Sequence, residues 1–203
     1  MGYPKALVVH EGRTFVERVL DALTQGGVAR VVVVCREVER AAVVDRVPHA
    51  WVVTNPDPER GMQSSIAVGL AHLLADTGGA AHDASAAPRL HGIALALVDQ
   101  PTLQAHTVRR VREVFADDVT RIVVPRSPEG RRGHPVIFPL DLTGQLRELH
   151  AQGAREVLWR NPHRVREVDL DDAGAFHDVN TPDELAALAP DTPPVLRIDA
   201  GLA

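Results

Sequence analysis

Ile93-Ala94-Leu95-Ala96-Leu97-Val98-Asp99-Gln100-Pro101 is the stretch whose reading decides the fold. Six apolar residues in a row predict a strand buried on both faces, as inside a parallel sheet. The run stops at a carboxylate, and Pro101 has no N–H with which to continue a ladder. In open α/β sheets, ligands bind beyond the carboxyl ends of the strands. Asp99 therefore has two readings: a residue of a metal or substrate site, or a cap for the helix that follows.

Outward from this run, apolar segments alternate in period. Residues 6–9, 28–35, 51–54 and 121–124 read as strands. Thr14 and Glu17 form a capping-box pair ahead of a helical stripe of Phe15, Val16, Val19, Leu20 and Leu23, which Gly26-Gly27 ends. Helices are also predicted over 38–44, 63–74 and 104–115. Strand and helix in alternation imply a mainly parallel α/β sheet flanked by helices. Further on, 136–138 and 165–168 read as strands. Leu142, Leu146 and Leu149 mark one helix, and 154–159 another. Thr181 caps a last helix with Pro182 at its first position. Residues 78–88, rich in Ala, Gly and Ser, read as a surface loop.

The 203 residues suit one domain, expected over 1–189, with a Pro-rich tail over 190–203. A formal net charge of -5 argues against nucleic acid as a partner, and 3% aromatic residues leave little to stack bases on. No apolar run has the length of a membrane span, and no signal-peptide core is present, so no membrane partner is expected. The single cysteine, Cys35, lies in an apolar run and reads as a small buried hydrophobe. A cytoplasmic location is the expectation.

Candidate chemistry gathers at a few places. Lys5, in Gly2-Tyr3-Pro4-Lys5, can neutralise phosphate or simply face solvent. Arg131-Arg132-Gly133-His134-Pro135 is a basic turn before a strand. Glycine permits close backbone approach and arginine is a bidentate phosphate donor, though a plain polar turn reads the same way. Gly61-Met62-Gln63-Ser64-Ser65 opens a helix whose free N–H groups and two hydroxyls suit an anion or a base edge. Asp178, in His177-Asp178-Val179-Asn180, is a second metal carboxylate or a turn residue. The common phosphate, dinucleotide, zinc and nucleophile-elbow motifs are absent.

Taken in order, these segments resemble a family. Met1-Gly2-Tyr3-Pro4-Lys5-Ala6-Leu7, Gly61-Met62-Gln63-Ser64-Ser65 with Gly69-Leu70, Val98-Asp99-Gln100-Pro101, Gly133-His134-Pro135-Val136, Gly153-Ala154-Arg155 and Asp178-Val179-Asn180-Thr181-Pro182-Asp183-Glu184-Leu185 look like the molybdenum cofactor nucleotidylyltransferases. These are MobA-like NTP transferases, and the segments look closer to the cytidylyltransferase branch than to the guanylyltransferase branch. The resemblance covers residues 1 to about 188.

It implies a nucleotide-diphospho-sugar transferase type of sheet. It implies a reaction in which an NTP, CTP on this reading, and the phosphate of molybdopterin give a pterin dinucleotide and pyrophosphate. By similarity, Asp99 holds Mg²⁺, with Asp178 as a second ligand, and Lys5 and Gly2 bind the NTP phosphates. Asn55, Ser64 and Ser65 line the nucleotide, while Arg132, Gly133, His134 and Asp178 face the pterin phosphate. A molybdoenzyme or its chaperone is the implied protein partner.

The family begins with a strand and a Leu-Ala-Ala-Gly-x-Ser-x-Arg loop directly before Met-Gly-x-Pro-Lys, whereas this sequence starts at Met1-Gly2. The expectation is a start lying upstream, with a degenerate protein as the other account. A chain from Met1 is then expected to have weak or absent activity; a further structural option is that residues 6–9 move into the vacant place. Two other functions stay open: a carrier or insertion protein that binds molybdopterin without nucleotide, and a nucleotidyltransferase for another phosphorylated small molecule.

Overall fold

The computed structural model describes residues 4–75, 90–148 and 153–188. Gly2, the stretch 78–88, Leu149 and the tail 190–203 lie outside them.

The first departure from expectation is at residues 6–9. Lys5–Leu7 is a 3-10 turn, closed by Leu7 N–H to the Pro4 carbonyl (3.0 Å) and Val8 N–H to the Lys5 carbonyl (3.1 Å). Val9–His10 (β1) then pairs with Arg13–Thr14 (β2) in a tight antiparallel hairpin. Its turn residues Glu11 and Gly12 both have positive φ, 48° and 78°, the twist a two-residue hairpin requires. This segment is committed locally and joins neither of the larger sheets.

Phe15–Gln25 (α1) starts as the sequence predicts. The Glu17 N–H donates to Thr14 Oγ1 (3.4 Å) and the Thr14 N–H donates to Glu17 Oε2 (2.7 Å), a reciprocal box. Thr14 is buried, so no water replaces its hydroxyl if it is removed. Thr14→Ala is expected to cost about 1–2 kcal/mol, at the upper end for a lost N-cap. A urea melt should show a lower midpoint with an unchanged slope.

Val32–Cys35 (β3) and Trp51–Thr54 (β4) run parallel in register, Val32 beside Trp51 and Cys35 beside Thr54. Arg40–Arg46 (α2), preceded by a 3-10 turn over Glu37–Glu39, makes the crossover. Residues 28–31, predicted as strand, lie before β3 begins. A four-stranded sheet follows: Gly92–Leu95 (β5), Ile122–Arg126 (β6), Val136–Pro139 (β7) and Val165–Asp169 (β8), in the order β5-β7-β6-β8. β6 and β8 are parallel, and β7 is antiparallel to both β5 and β6. The turn over 127–135 is too short for a crossover, so β7 returns beside β6.

The helices are Met62–Ala75 (α3), Ala105–Asp117 (α4), Thr143–Arg147 (α5), Ala154–Arg160 (α6) and Pro182–Leu188 (α7). Successive β6 residues point to opposite layers. Ile122 and Val124 pack with Val136, Phe138, Leu70, Leu146 and Val157; Val123 packs with Ile137, Val111, Val114 and Phe115. Those two strands have the double-sided burial that the sequence assigned to residues 93–98.

β5 itself does not. Ile93 is buried, but Ala94, Leu95, Ala96, Leu97 and Val98 are only half-buried. Among the described residues β5 pairs on one side only, with β7, and β3 likewise pairs only with β4. Helix α3 lies across both sheets. A Cβ on Gly69 would meet Val34 at 3.1 Å, while Ile66, Leu70 and Leu73 pack into the core that contains Ile93.

Candidate active site

Strand β5 ends at Leu95, and the chain runs on through Ala96 and Leu97 into a turn that contains Asp99. The Gln100 N–H reaches the Leu97 carbonyl (3.4 Å) and the Leu103 N–H reaches that of Gln100 (3.2 Å). Helix α4 begins only at Ala105, so Asp99 does not cap it. Asp172 serves that end instead. Its Oδ2 accepts from the Gln104 N–H (3.2 Å) and the Thr107 hydroxyl (2.6 Å), and its Oδ1 accepts from the Gly174 N–H (3.0 Å). Asp172 is distant in sequence, and nothing in local spacing marks it as the cap. Capping of α4 is thereby excluded for Asp99.

Asp99 sits among partners from both ends of the chain. Lys5 Nζ donates to Asp99 Oδ2 (2.9 Å) and to Asn180 Oδ1 (2.5 Å). The Val179 N–H donates to the Asp99 carbonyl (2.8 Å), and Gln100 Nε2 donates to Asp178 Oδ1 (2.9 Å). Lys5, Asp99 and Asp178 therefore converge, joined by Gln100 and Asn180, to which the sequence reading gave no role. Asn180 accepts from the lysine through its side-chain oxygen.

His134 completes this side. Its N–H donates to the Ala175 carbonyl (2.9 Å), and the His134–Pro135 bond is cis. Burial pushes the imidazole below its ordinary range, Asp178 and Asp99 push it back up by less, and Arg155 pushes it down again. The ring is neutral at pH 7. Arg155, in the Gly153-Ala154-Arg155 segment, thereby emerges as an exposed cation near His134.

Gly133 is buried, and the close approach it permits is to the chain itself. A Cβ there would overlap the Ala175 carbonyl oxygen and come within 2.5 Å of the Phe176 ring. Arg132 is turned to another face, where its Nε donates to Glu167 (2.8 Å) beside the Arg126–Glu167 and Arg126–Asp169 pairs. Arg131 donates to the Phe176 carbonyl (2.8 Å). The structure thus brings His134 to the carboxylates but not Arg132.

Asn55, Ser64 and Ser65 form a second group. Asn55 Nδ2 donates to Ser64 Oγ (2.7 Å) and Ser65 Oγ (3.0 Å), and Asn55 Oδ1 accepts from the Asp57 N–H (2.9 Å). Ser64 is buried within its own loop and donates to the Asp57 or Gly61 carbonyl (2.9 and 2.8 Å). Asn55 and Ser64 staple the loop that starts α3, leaving Ser65 the more open of the two hydroxyls. Asn55 also lines a cleft of about 570 Å³ with Arg36, Glu37, Val38, Thr54, Pro56 and Pro58. That cleft includes neither Asp99 nor Asp178. At the start of α3, Gln63 lies close to the residue before α6: a Cβ on Gly153 would meet Gln63 Nε2 at 3.1 Å.

Among the described residues no three or more His, Cys, Asp or Glu side chains form a metal cage. Asp99 Oδ1 and Asp178 Oδ2 carry no hydrogen bond to a described residue. Two carboxylates with free oxygens fit Mg²⁺, which takes one or two and keeps its other positions for water and phosphate. They do not fit a four-ligand zinc site.

Comparison with known proteins agrees with this fold. Residues 1–165 match the MobA-like NTP transferase domain. The nicotine blue oxidoreductase of Paenarthrobacter nicotinovorans is 31% identical over 195 residues, spanning 91% of this chain and 87% of that protein. A molybdenum cofactor guanylyltransferase of Cupriavidus pinatubonensis is 36% identical over 93 residues, 43% of this chain and 47% of its own. The crystal structure of Rv0371c from Mycobacterium tuberculosis superposes with a TM-score of 0.74 at 28% identity, over 94% of this chain and 91% of that one. The same protein in complex with manganese gives 0.72 at 29% identity, over 94% of each chain. The chain thus belongs to the MobA-like NTP transferases, a family of nucleotidyltransferases built on a mixed α/β nucleotide-diphospho-sugar transferase fold.

Proposed function

We propose that this chain transfers a nucleoside monophosphate from an NTP to the phosphate of molybdopterin, with release of pyrophosphate. The observation that carries the reading is the convergence of Lys5, Asp99 and Asp178, with both carboxylates acting on the His134 ring. Nucleotidyl transfer asks little covalent chemistry of a protein; positioning and charge neutralisation do most of the work.

In this reading Asp99 and Asp178 hold a divalent cation, Mg²⁺, which would neutralise phosphate charge when bound. The manganese complex of the mycobacterial relative supports divalent-cation use. Lys5 presents its ammonium to the NTP phosphates and keeps Asp99 and Asn180 in place. Neutral His134, with Gly133 fixing its backbone and Arg155 beside it, faces the acceptor phosphate. Ser65 and the loop that Asn55 and Ser64 staple line the nucleotide. Arg132, turned to Glu167, is the proposed residue for which the geometry offers least.

CTP is the proposed donor, on the Gly61-Met62-Gln63-Ser64-Ser65 and Gly133-His134-Pro135-Val136 segments; the guanylyltransferase relatives favour GTP. With molybdopterin and Mg²⁺ present, pyrophosphate release is expected to be at least about tenfold faster with CTP than with GTP, about 1.4 kcal/mol of discrimination. Equal rates, or faster release with GTP, would reverse the assignment. The oxidoreductase relative spans most of both chains, so redox chemistry is the second reading. Oxidation or reduction of a pigment substrate, with NTP left intact, would favour it.

A further inference from the structure

Gln100 is 2% exposed, directly follows Asp99, and uses both hydrogens of its amide inward. Nε2 donates to Asp178 Oδ1 at 2.9 Å and to the Ala175 carbonyl at 3.3 Å. Both partners are acceptors only, so the amide cannot be flipped: its oxygen in that place would face a carboxylate and a carbonyl. The cost of this fixed orientation is visible on the other side. Gln100 Oε1 is a buried side-chain acceptor with no hydrogen-bond partner. An apolar residue of similar length would avoid that orphaned oxygen and fill the same space. The amide is kept where core packing alone would not ask for it, and what it gains is a grip on Asp178.

That grip matters because Asp178 is exposed and stands in an irregular segment between the Ala173–Ala175 turn and α7. Its backbone is anchored one residue later, by the Val179 N–H on the Asp99 carbonyl at 2.8 Å. Its side chain rotates freely unless something holds one oxygen. Gln100 holds Oδ1 and leaves Oδ2 unengaged, in a carboxylate close enough to His134 for its charge to act on that ring, as the charge of Asp99 does.

We infer that Gln100 is a positioning residue: it orients the Asp178 carboxylate so that Asp99 and Asp178 present one free oxygen each to a shared divalent cation. The inference rests on the reading of Asp178 as a cation ligand. Residues that orient ligands from behind typically change metal affinity 10- to 100-fold when removed.

The test is Mn²⁺ binding alone, followed by electron paramagnetic resonance on the full chain without nucleotide. Four proteins are compared: unaltered, Gln100→Leu, Asp178→Asn and the double variant. Gln100→Met, nearly the length of glutamine, is run alongside so that a folding defect in Gln100→Leu does not decide the outcome. The expected result is a Kd raised about tenfold or more by either single substitution. The double variant should be no weaker than Asp178→Asn alone, because Gln100 acts through that carboxylate. Additive losses would overturn the inference, as would weakened binding in Gln100→Leu with Asp178→Asn unchanged. Unchanged binding in both Gln100 variants with Asp178→Asn weakened would overturn it too, while leaving Asp178 a ligand. If the unaltered chain takes up no Mn²⁺, the cation reading itself fails; if Asp178→Asn and the Gln100 variants all bind as the unaltered chain does, Asp178 is not a ligand; in either case the inference falls.

Discussion

Asp99→Asn is expected to lower nucleotidyl transfer by about 10²–10³-fold, the scale for removing one preorganised electrostatic group from a charge-handling site. Asparagine keeps the shape and still offers an oxygen to Lys5 Nζ, now 2.9 Å from Asp99 Oδ2. The Val179 N–H bond to the residue 99 carbonyl is untouched. What is lost is the charge. The Lys5 and Asp99 side chains are 34% and 19% exposed, so their ion pair is partly screened and worth about 1 kcal/mol or less to folding. Activity and stability therefore separate. Pyrophosphate release should collapse while the urea midpoint barely moves. A variant that turns over normally would remove Asp99 from the site, and one that unfolds would make it a structural residue.

Gly133→Ala should show the reverse. The added methyl has no free direction, since the Ala175 carbonyl and both near edges of the Phe176 ring occupy its place. Backbone cannot step aside as a flexible side-chain tip can. The His134 N–H bond to the same Ala175 carbonyl ties the two segments together, so relief at one point strains the other. The expected cost is about 3 kcal/mol, the upper range for overpacking. For a domain of this size that is a melting temperature lower by roughly 6–12 °C. Differential scanning calorimetry would check it, and a shift under about 2 °C would mean that the segments separate more easily than their packing implies.

These two residues also show what the sequence could and could not disclose. A glycine before His134-Pro135 was legible as a point of close approach, but not what approaches it; the answer lies more than forty residues away, at Ala175 and Phe176. Asp99 was legible as the end of an apolar run, and its reading as a helix cap fell only once Asp172 was seen at the start of α4. Local signals carried well. Thr14 with Glu17 is a reciprocal pair within one turn, as read, and Thr181 caps the last helix, as read, with Glu184 returning a bond to its N–H that the sequence reading did not name. Burial carried poorly. Apolar content predicted that residues 93–98 lie inside a sheet, yet whether a strand has neighbours on one side or two depends on topology, not on its own residues. Lys5, Asp99, Asp178 and His134 came together in the order of the family's segments. Gln100 and Arg155, standing inside those same segments, became visible only through their partners.

The bonds from Lys5 span 94 positions to Asp99 and 175 to Asn180. Contacts so remote in sequence require the intervening chain to be ordered before they return anything, and they form late in folding. A growing polypeptide can complete the α1 cap, the β1–β2 hairpin and the β3–β4 ladder long before residue 178 has been made. The lysine near one end waits for the asparagine near the other. The order of synthesis thus keeps this site unassembled, with its carboxylates unmatched, until most of the protein around it already has its shape.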